Sequence, residues 1–242
     1  MPRFFIDYTP TVGGSAVIDG ADARHIGGAL RMTAGETLTL CDGRGTDYAC
    51  TLTAVEREQV TLSVDAAAPS SSEPSLAVTL YMGLPKGDKM ELIIQKAVEL
   101  GVTAIVPVAM SRCIVKLDGK DAAKKQARWQ KIAAEAAGQS GRGIIPTVEL
   151  PLSWKQALVR FAEEKTLLCY EGGGQPIGKL VTPADTAAGL VVGPEGGFDP
   201  AEVEAVLAVG GKIATLGPRI LRCETAPLAA IAVLMEKSGN ME

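Results

Sequence analysis

Arginine and glutamate side chains are concentrated in one short segment near the end of the chain. The segment Leu216–Pro227 holds Arg219, Arg222 and Glu224 among apolar neighbours. Arginines can stabilise a developing negative charge, and a carboxylate can accept a proton or attract a cation. Ion pairing within the loop is the alternative interpretation, and the sequence leaves both open.

A glycine-rich segment carries a further carboxylate. Residues Gly193–Gly197 read Gly-Pro-Glu-Gly-Gly, so backbone can approach a ligand closely while Pro194 stiffens the turn. The glycine spacing matches neither the dinucleotide fingerprint nor the nucleoside triphosphate loop, which argues against those ligands. A tight turn before a helix is the alternative. Placed beside Tyr170–Gly174 and the arginine-bearing loop, the segment would form a pocket suited to an adenine and a ribose.

A third group of polar side chains ends a predicted long helix over about residues 121–139. Gln139, Ser140 and Arg142 place an amide, a hydroxyl and a guanidinium together. Such a combination can bind a phosphate or the edge of a base. A row of surface ion pairs along the helix is the alternative interpretation.

Composition excludes several classes of chemistry. The 242 residues include one histidine, His25, and five cysteines. The single histidine disfavours histidine-rich metal sites, and the cysteines lie too far apart for a zinc motif or a disulfide framework. No uncharged stretch reaches the roughly 18 residues of a spanning helix. We therefore expect a cytoplasmic protein with neither a metal nor a membrane segment.

Charge is distributed unevenly along the chain. The 24 Lys and Arg residues against 28 Asp and Glu residues give a net charge of −4, which by itself argues against a nucleic-acid partner. Residues 86–142, however, hold 11 basic and 6 acidic groups, a net of +5. A solvated helix face and an RNA-binding surface are both compatible with such a stretch.

Two periodicities predict the elements that position these loops. Residues 1–75 alternate with period two and carry one predicted helix capped by Asp22, which indicates a small β-barrel. Beyond the Pro- and Ser-rich linker 66–74, strands alternate with helices. Ser153, Asp199 and Thr225 are the predicted N-caps of three of these helices. This order predicts a parallel sheet covered on both faces, with ligands at the carboxyl ends of its strands.

Four blocks of the sequence resemble the bacterial small-subunit ribosomal RNA uridine-N3 methyltransferases, a family of the SPOUT superfamily. The blocks are residues 86–101, residues 128–132 with 135–142, residues 193–198 and residues 216–226. Arg3–Phe5 and His25–Arg31 also resemble the PUA-like domain of that family. The resemblance implies an α/β fold: a PUA-like RNA-binding β-barrel over residues 1–70, and a SPOUT domain with a C-terminal trefoil knot over residues 76–242.

The resemblance also implies an activity. It is S-adenosylmethionine-dependent methylation of N3 of a specific uridine in 16S ribosomal RNA, in the decoding region of the small subunit, by a homodimer. A SPOUT methyltransferase acting on another RNA site and a non-catalytic ribosome assembly factor are the alternatives. A ribose 2′-O-methyltransferase fits less well, because those enzymes resemble one another in asparagine-bearing motifs and the only asparagine here is Asn240.

The matching positions imply the cofactor contacts. They are Leu168, Tyr170, Glu171, Gly172, Gly193, Pro194, Glu195, Gly196, Gly197, Leu216, Gly217, Ile220, Leu221, Arg222, Glu224, Thr225 and Ala226.

Roles in the reaction and in RNA binding follow from the same positions. Uridine N3–H is weakly acidic, so the reaction needs a base or stabilisation of the uracil anion. The candidate anion stabilisers are Arg142, Arg219 and Arg222, and the candidate base is Glu195 or Glu224. The expected RNA contacts are Arg3, Arg24, Arg31, Lys86, Lys89, Arg112, Gln139 and Arg142.

Overall fold

The computed structural model describes residues 1–241, which divide into two compact units. The first unit comprises Met1–Glu73 together with Ala137–Ile145, and the second comprises Pro74–Ala136 together with the chain from Pro146 onward. Residues 137–145 thus join the first unit, although the sequence-based division placed them in the SPOUT domain.

The first unit is built on a five-stranded sheet. Its strands are β1 (Arg3–Phe5), β2 (Ser15–Asp19), β3 (Thr37–Cys41), β4 (Thr46–Val55) and β5 (Gln59–Pro69). They are ordered β1-β3-β4-β5-β2, with β1 parallel to β3 and the other pairs antiparallel. Side chains alternate between exposed and buried along β2, as a sheet with one buried face requires.

The helix of the first unit starts earlier than predicted. Helix α1 (Gly20–Arg24) follows β2 at once and continues into a π-helical turn over His25–Ala29. Gly20 has a φ of +63°, a conformation that lets the chain turn from strand into helix without a connecting loop. Asp22 therefore lies in the first turn of α1, and the prediction that it caps the helix is wrong.

The second unit contains an eight-stranded sheet. Its strands are β6 (Ala77–Gly83), β7 (Ala104–Ala109), β8 (Thr147–Val148), β9 (Leu152–Ser153), β10 (Thr166–Cys169), β11 (Gln175–Pro176), β12 (Ala187–Val192) and β13 (Lys212–Thr215). The order is β11-β13-β10-β12-β6-β7-β8, with β9 also paired to β7, and every pair is parallel. The predicted parallel sheet is confirmed.

Five helices follow strands of this sheet. They are α2 (Lys89–Glu99), α3 (Gly119–Gln139), α4 (Trp154–Phe161), α5 (Pro200–Ala208) and α6 (Thr225–Lys237), with a 3-10 turn at Ile177–Lys179. In α2, Met90, Ile93, Ile94 and Ala97 are buried, which is the i, i+3, i+4, i+7 spacing of a core-facing stripe. None of the helices within residues 1–241 is long and apolar enough to cross a membrane.

Capping chemistry sets two of these helix starts as predicted and fails at the third. Ser153 and Asp199 each form a capping box, with Gln156 and Glu202 three residues later. Thr225 is not a cap: α6 already begins at that residue, because its N–H and that of Ala226 both donate to the carbonyl of Arg222. The chain has turned into helix one residue earlier than the hydroxyl suggested.

Aromatic side chains pack α4 against the sheet and against the segment after β12. Trp154 and Phe161 have ring centroids 5.6 Å apart, and Phe161 meets Tyr81 of β6 edge to face at 4.9 Å. Trp154 also lies 6.4 Å from Phe198. Edge-to-face and tilted contacts of this kind stabilise a core beyond the area that they bury.

Glu202 joins two connecting segments at the edge of this core. Its side chain accepts hydrogen bonds from the Asp199 N–H at 3.0 Å and from the Ser111 N–H at 2.8 Å. Glu202 is only 6% exposed, so both backbone donors depend on it rather than on water. The start of α5 and the segment after β7 are therefore tied together by one buried carboxylate.

We expect Glu202→Ala to lower the free energy of unfolding by about 2–3 kcal/mol, since it leaves two backbone N–H groups without a partner. Glu204→Ala is the matched control, because Glu204 is exposed on the same helix; its effect should stay within about 0.5 kcal/mol. Denaturant unfolding monitored by circular dichroism measures both, and equal effects would contradict the structural role of Glu202.

Candidate functional site

Three loops meet at the carboxyl ends of three adjacent strands. Strands β13, β10 and β12 are neighbours in the sheet and parallel, so the loops that follow them leave from the same edge. A cavity of about 420 Å³ lies between the loops after β10, β12 and β13. Its lining comprises Cys169, Glu171, Val192, Gly193, Pro194, Glu195, Gly196, Gly197, Phe198, Ile220, Leu221, Arg222, Cys223 and Ala226.

A smaller cavity shares part of this lining. It measures about 90 Å³ and shares five lining residues with the first, namely Cys169, Glu171, Ile220, Leu221 and Ala226. Its remaining lining includes Tyr170, Leu216, Gly217 and Arg219. Loop residues, most of them glycine or apolar, line the two cavities, and the charged lining residues are Glu171, Glu195, Arg219 and Arg222.

Close backbone packing shapes the loop after β12. An added Cβ at Gly83, the last residue of β6, would lie 2.5 Å from Pro194 Cδ, so only glycine lets the loop approach the strand. Gly197 has a φ of +67°, and a Cβ there would lie 2.9 Å from Glu171 Oε1. Glycine at these two positions therefore lets the loop pack against the end of β6 and beside Glu171.

A lysine connects the two candidate carboxylates. Lys89 Nζ, from the first residue of α2, lies 3.0 Å from Glu195 Oε1 and 3.3 Å from Glu224 Oε2. The Lys86 backbone N–H also donates to Glu195 Oε1 at 3.1 Å. Two loops that are separate in sequence thus converge on one ammonium group.

Both carboxylates remain ionised in this cluster. Burial by itself would raise the pKa of Glu195, but hydrogen bonds from its own N–H, from Lys89 and from the Lys86 N–H hold that pKa below its usual range. The pKa of Glu224 is also lowered, chiefly by the hydrogen bond that the Cys223 thiol donates at 3.2 Å. Lowered pKa values make both groups weaker proton acceptors.

The two cysteines of the cavity are inert. Burial raises the pKa of Cys169 to about 12, and burial together with the Glu224 hydrogen bond raises that of Cys223 to about 12. Neither thiol is ionised near neutral pH, so neither is a nucleophile.

Cationic side chains surround the cavity. Arg222 lines the larger cavity and Arg219 the smaller, and both are exposed. Between them Ile220 is 86% exposed, which places the loop at the surface. Arg112 reaches the same region and donates to the Gly196 carbonyl at 3.0 Å.

Some residues expected to contact the cofactor do not line either cavity. Leu168 is fully buried within β10, directly before Cys169. Gly172, Glu224 and Thr225 are sequence neighbours of lining residues, and Glu224 is held by Lys89 as described above.

Arg142 lies in the first unit and is almost completely buried. It is 3% exposed, and its Nη2 atom lies 2.6 Å from Glu73 Oε2. The other carboxylate oxygen of Glu73 accepts the Gly143 and Ile144 N–H groups at 2.9 and 3.0 Å. Glu73 thus fixes the segment after α3 within the first unit.

The remaining expected RNA contacts differ in availability. Arg3 forms a two-point ion pair with Asp47, and Arg24 pairs with Glu58. Arg31, Lys86 and Gln139 are exposed.

Five lining residues of the two cavities were not among the predicted site residues, namely Cys169, Val192, Phe198, Thr215 and Cys223. Cys169 and Val192 are the last residues of β10 and β12. Because parallel sheets bind ligands at the carboxyl ends of their strands, the predicted strand ends could have identified these two residues. The pairing of Lys89 with two glutamates had no signal in the sequence. Within residues 1–241, no group of three or more His, Cys, Asp or Glu side chains is arranged to hold a metal.

Family models match both units. The model of an RNA methyltransferase domain matches residues 72–235, and that of an RNA methyltransferase PUA domain matches residues 18–65. The first match alone covers more than half of the chain.

Individual relatives agree with these matches. Ribosomal RNA small subunit methyltransferase E of Bacillus subtilis is 39% identical, over 97% of this chain and 96% of its own. The Mycobacterium bovis protein of the same name is 32% identical, over 96% of this chain and 90% of its own.

A solved structure agrees as well. The Neisseria gonorrhoeae ribosomal RNA small subunit methyltransferase E, crystallised with S-adenosylmethionine bound, superposes with a TM-score of 0.88 at 37% identity, covering 98% of this chain and 97% of its own. By sequence and by fold, the chain belongs to the family of the ribosomal RNA small subunit methyltransferases E.

Proposed function

We propose that the protein uses S-adenosylmethionine to methylate N3 of a specific uridine in 16S ribosomal RNA of the small subunit. The observation that carries the proposal is the cavity at the carboxyl ends of β10, β12 and β13, in a chain that matches the S-adenosylmethionine-bound Neisseria gonorrhoeae relative over nearly its full length. Both the volume and the lining of the cavity suit a nucleoside with a charged side chain.

The lining fits the parts of this cofactor. Backbone amides and carbonyls of the three loops can hold an adenine, with Leu221, Ile220 and Ala226 against its faces. Glu195, Glu224 and Lys89 carry a combined charge of −1, which favours a sulfonium cation near the carboxylates. The cofactor supplies an activated methyl group, which uridine N3 attacks in line with the bond to sulfur.

Arg222 and Arg219 stabilise the uracil anion in this proposal. N3 loses its proton to water, which leaves negative charge on the uracil ring. This charge is consumed as the N–C bond forms and the S–C bond breaks. Both guanidiniums lie at the surface of the cavities, where a base could reach them. Positioned cations at a developing anion are among the largest contributions to catalysis.

Glu195 and Glu224 position the two loops and attract the sulfonium cation; neither is the proton acceptor. Their pKa values are below the usual range, which makes the transfer of a proton from N3 less favourable. Removal of the proton by water, assisted by the arginines, is compatible with this arrangement.

Arg142 has a structural role in this proposal. Its buried pairing with Glu73 favours stabilisation of the first unit over the catalytic and RNA-binding roles expected from sequence. The exposed residues Arg31, Lys86 and Gln139, and Arg112 beside the cavity, remain the proposed RNA contacts. Arg3 and Arg24 would contact RNA only after releasing Asp47 and Glu58.

Four further features of the proposal rest on the resemblance of the sequence blocks. They are the trefoil knot, the homodimer, the decoding-region position of the uridine, and a cytoplasmic location where small subunits are available as substrate.

Gly197→Ala should weaken S-adenosylmethionine binding by roughly tenfold or more. The added Cβ is strained in the left-handed backbone conformation and clashes with Glu171, so the loop must shift. Gly210→Ala is the matched control: its φ is +92°, but a Cβ there has nothing within 4 Å and the residue follows α5, outside the cavity lining. Calorimetric titration measures both, and equal losses would contradict the proposed position of the cofactor.

Arg222→Ala should leave a folded protein whose methylation rate falls by roughly 100-fold or more, since it removes a cation from the developing anion. Lys212→Ala, an exposed substitution at the opposite end of β13, should change the rate little. Transfer of radiolabelled methyl groups to small subunits measures the rate. A wild-type rate for Arg222→Ala would remove this arginine from the mechanism.

Nucleoside mass spectrometry of 16S ribosomal RNA tests the function itself. We expect 3-methyluridine to be absent from cells that lack the gene and to return on complementation. Loss of a different methylated nucleoside would indicate another RNA site. An unchanged set of modified nucleosides would contradict the enzymatic function and favour an assembly factor.

A further inference from the structure

The ammonium group of Lys89 is the point where the two charged loops of the cavity meet. It contacts Glu195 from the loop after β12 and Glu224 from the loop after β13, and it lies 3.8 Å from Cys223 Sγ. No other cation within residues 1–241 forms an ion pair with either glutamate.

The position of Lys89 is fixed by its helix. The residue that follows it, Met90, is 2% exposed, and Ile93 and Ile94 are fully buried one turn later. The first turn of α2 is therefore held by the core, and the lysine side chain extends from a rigid base. A lysine on a flexible loop would also lose backbone conformational entropy on forming the same contacts.

Charge explains why the loops need this cation. Glu195 and Glu224 are both ionised and both lie within 3.3 Å of the same nitrogen, so without Lys89 two like charges would face each other beside the cavity. The two carboxylates raise the pKa of Lys89, chiefly through the Glu195 hydrogen bond, so the lysine stays charged.

We propose that Lys89 is a positioning residue for the cofactor site, which holds the loops 193–197 and 216–224 in the arrangement that binds S-adenosylmethionine. The inference rests on the proposed function, and it replaces the expectation that Lys89 contacts an RNA phosphate. The lysine ammonium already has two carboxylate partners within its own unit, and their contacts would have to break before it could bind a phosphate.

Lys86 provides the contrast within the same segment. Its side chain is exposed and forms no ion pair in the described part of the chain, while its backbone N–H donates to Glu195. The two lysines have the same charge and lie three residues apart, but only one of them bridges the loops. Removing each side chain therefore separates a cofactor role from an RNA role.

Two measurements on Lys89→Met and Lys86→Met test the inference in the full-length protein. Calorimetric titration with S-adenosylmethionine, in the absence of RNA, should show affinity lowered roughly tenfold for Lys89→Met and within about twofold of wild type for Lys86→Met. The salt dependence of binding to in-vitro-transcribed 16S ribosomal RNA should lose about one unit of slope for Lys86→Met and none for Lys89→Met.

Two additional variants keep the test decisive. Lys89→Arg retains the cation and should recover most of the cofactor affinity. In a Glu224→Gln background, Lys89→Met should cost less affinity than in wild type, because the repulsion between carboxylates is gone. Should Lys89→Met unfold by circular dichroism, Lys89→Gln takes its place.

The possible outcomes separate the inference from the function on which it rests. Wild-type protein that binds no S-adenosylmethionine would overturn the proposed function. Wild-type protein that binds it, with Lys89→Met binding equally well and losing one unit of RNA salt slope, would overturn the role of Lys89 alone.

Discussion

The parallel pairing of β13 with β10, and of β10 with β12, is the constraint on which the site depends. In a parallel sheet, neighbouring strands end at the same edge, so three loops that lie far apart in sequence emerge together. This alignment, together with the pairing of β6 with β12, brings Glu195 and Glu224 to the Lys89 ammonium at the start of α2. The ion pairs of the site therefore depend on the pairing of the strands.

Local chemistry in the second unit was largely predictable. The capping boxes at Ser153 and Asp199 need residues only three positions apart, and the strand and helix periodicities need only a few more. Loop positions followed from the same patterns, because glycine-rich and charged segments stood directly after apolar strands. Most residues expected at the cofactor site do line the two cavities, although their roles stay a prediction.

Two of the misjudged features depend on the local backbone, and two depend on contacts between residues distant in sequence. Asp22 and Thr225 have the right side chains for caps, but Gly20 and the carbonyl of Arg222 start those helices earlier. Lys89 reads as one more residue of a basic stretch, and Arg142 as a free guanidinium, because their partners lie elsewhere in the chain. The net charge of a segment cannot distinguish a cation that faces solvent from one that is neutralised by a glutamate 69 or more residues away.

The discontinuity of the first unit has a consequence for the order in which the protein folds during synthesis. Glu73 finds its partners at Arg142, Gly143 and Ile144, which leave the ribosome only after residues 74–136 have been made. The N-terminal sheet can form early, yet its last polar contacts must wait while part of the next unit is translated. Domains usually fold in the order of their synthesis; here the first to begin is completed only when the second is partly built.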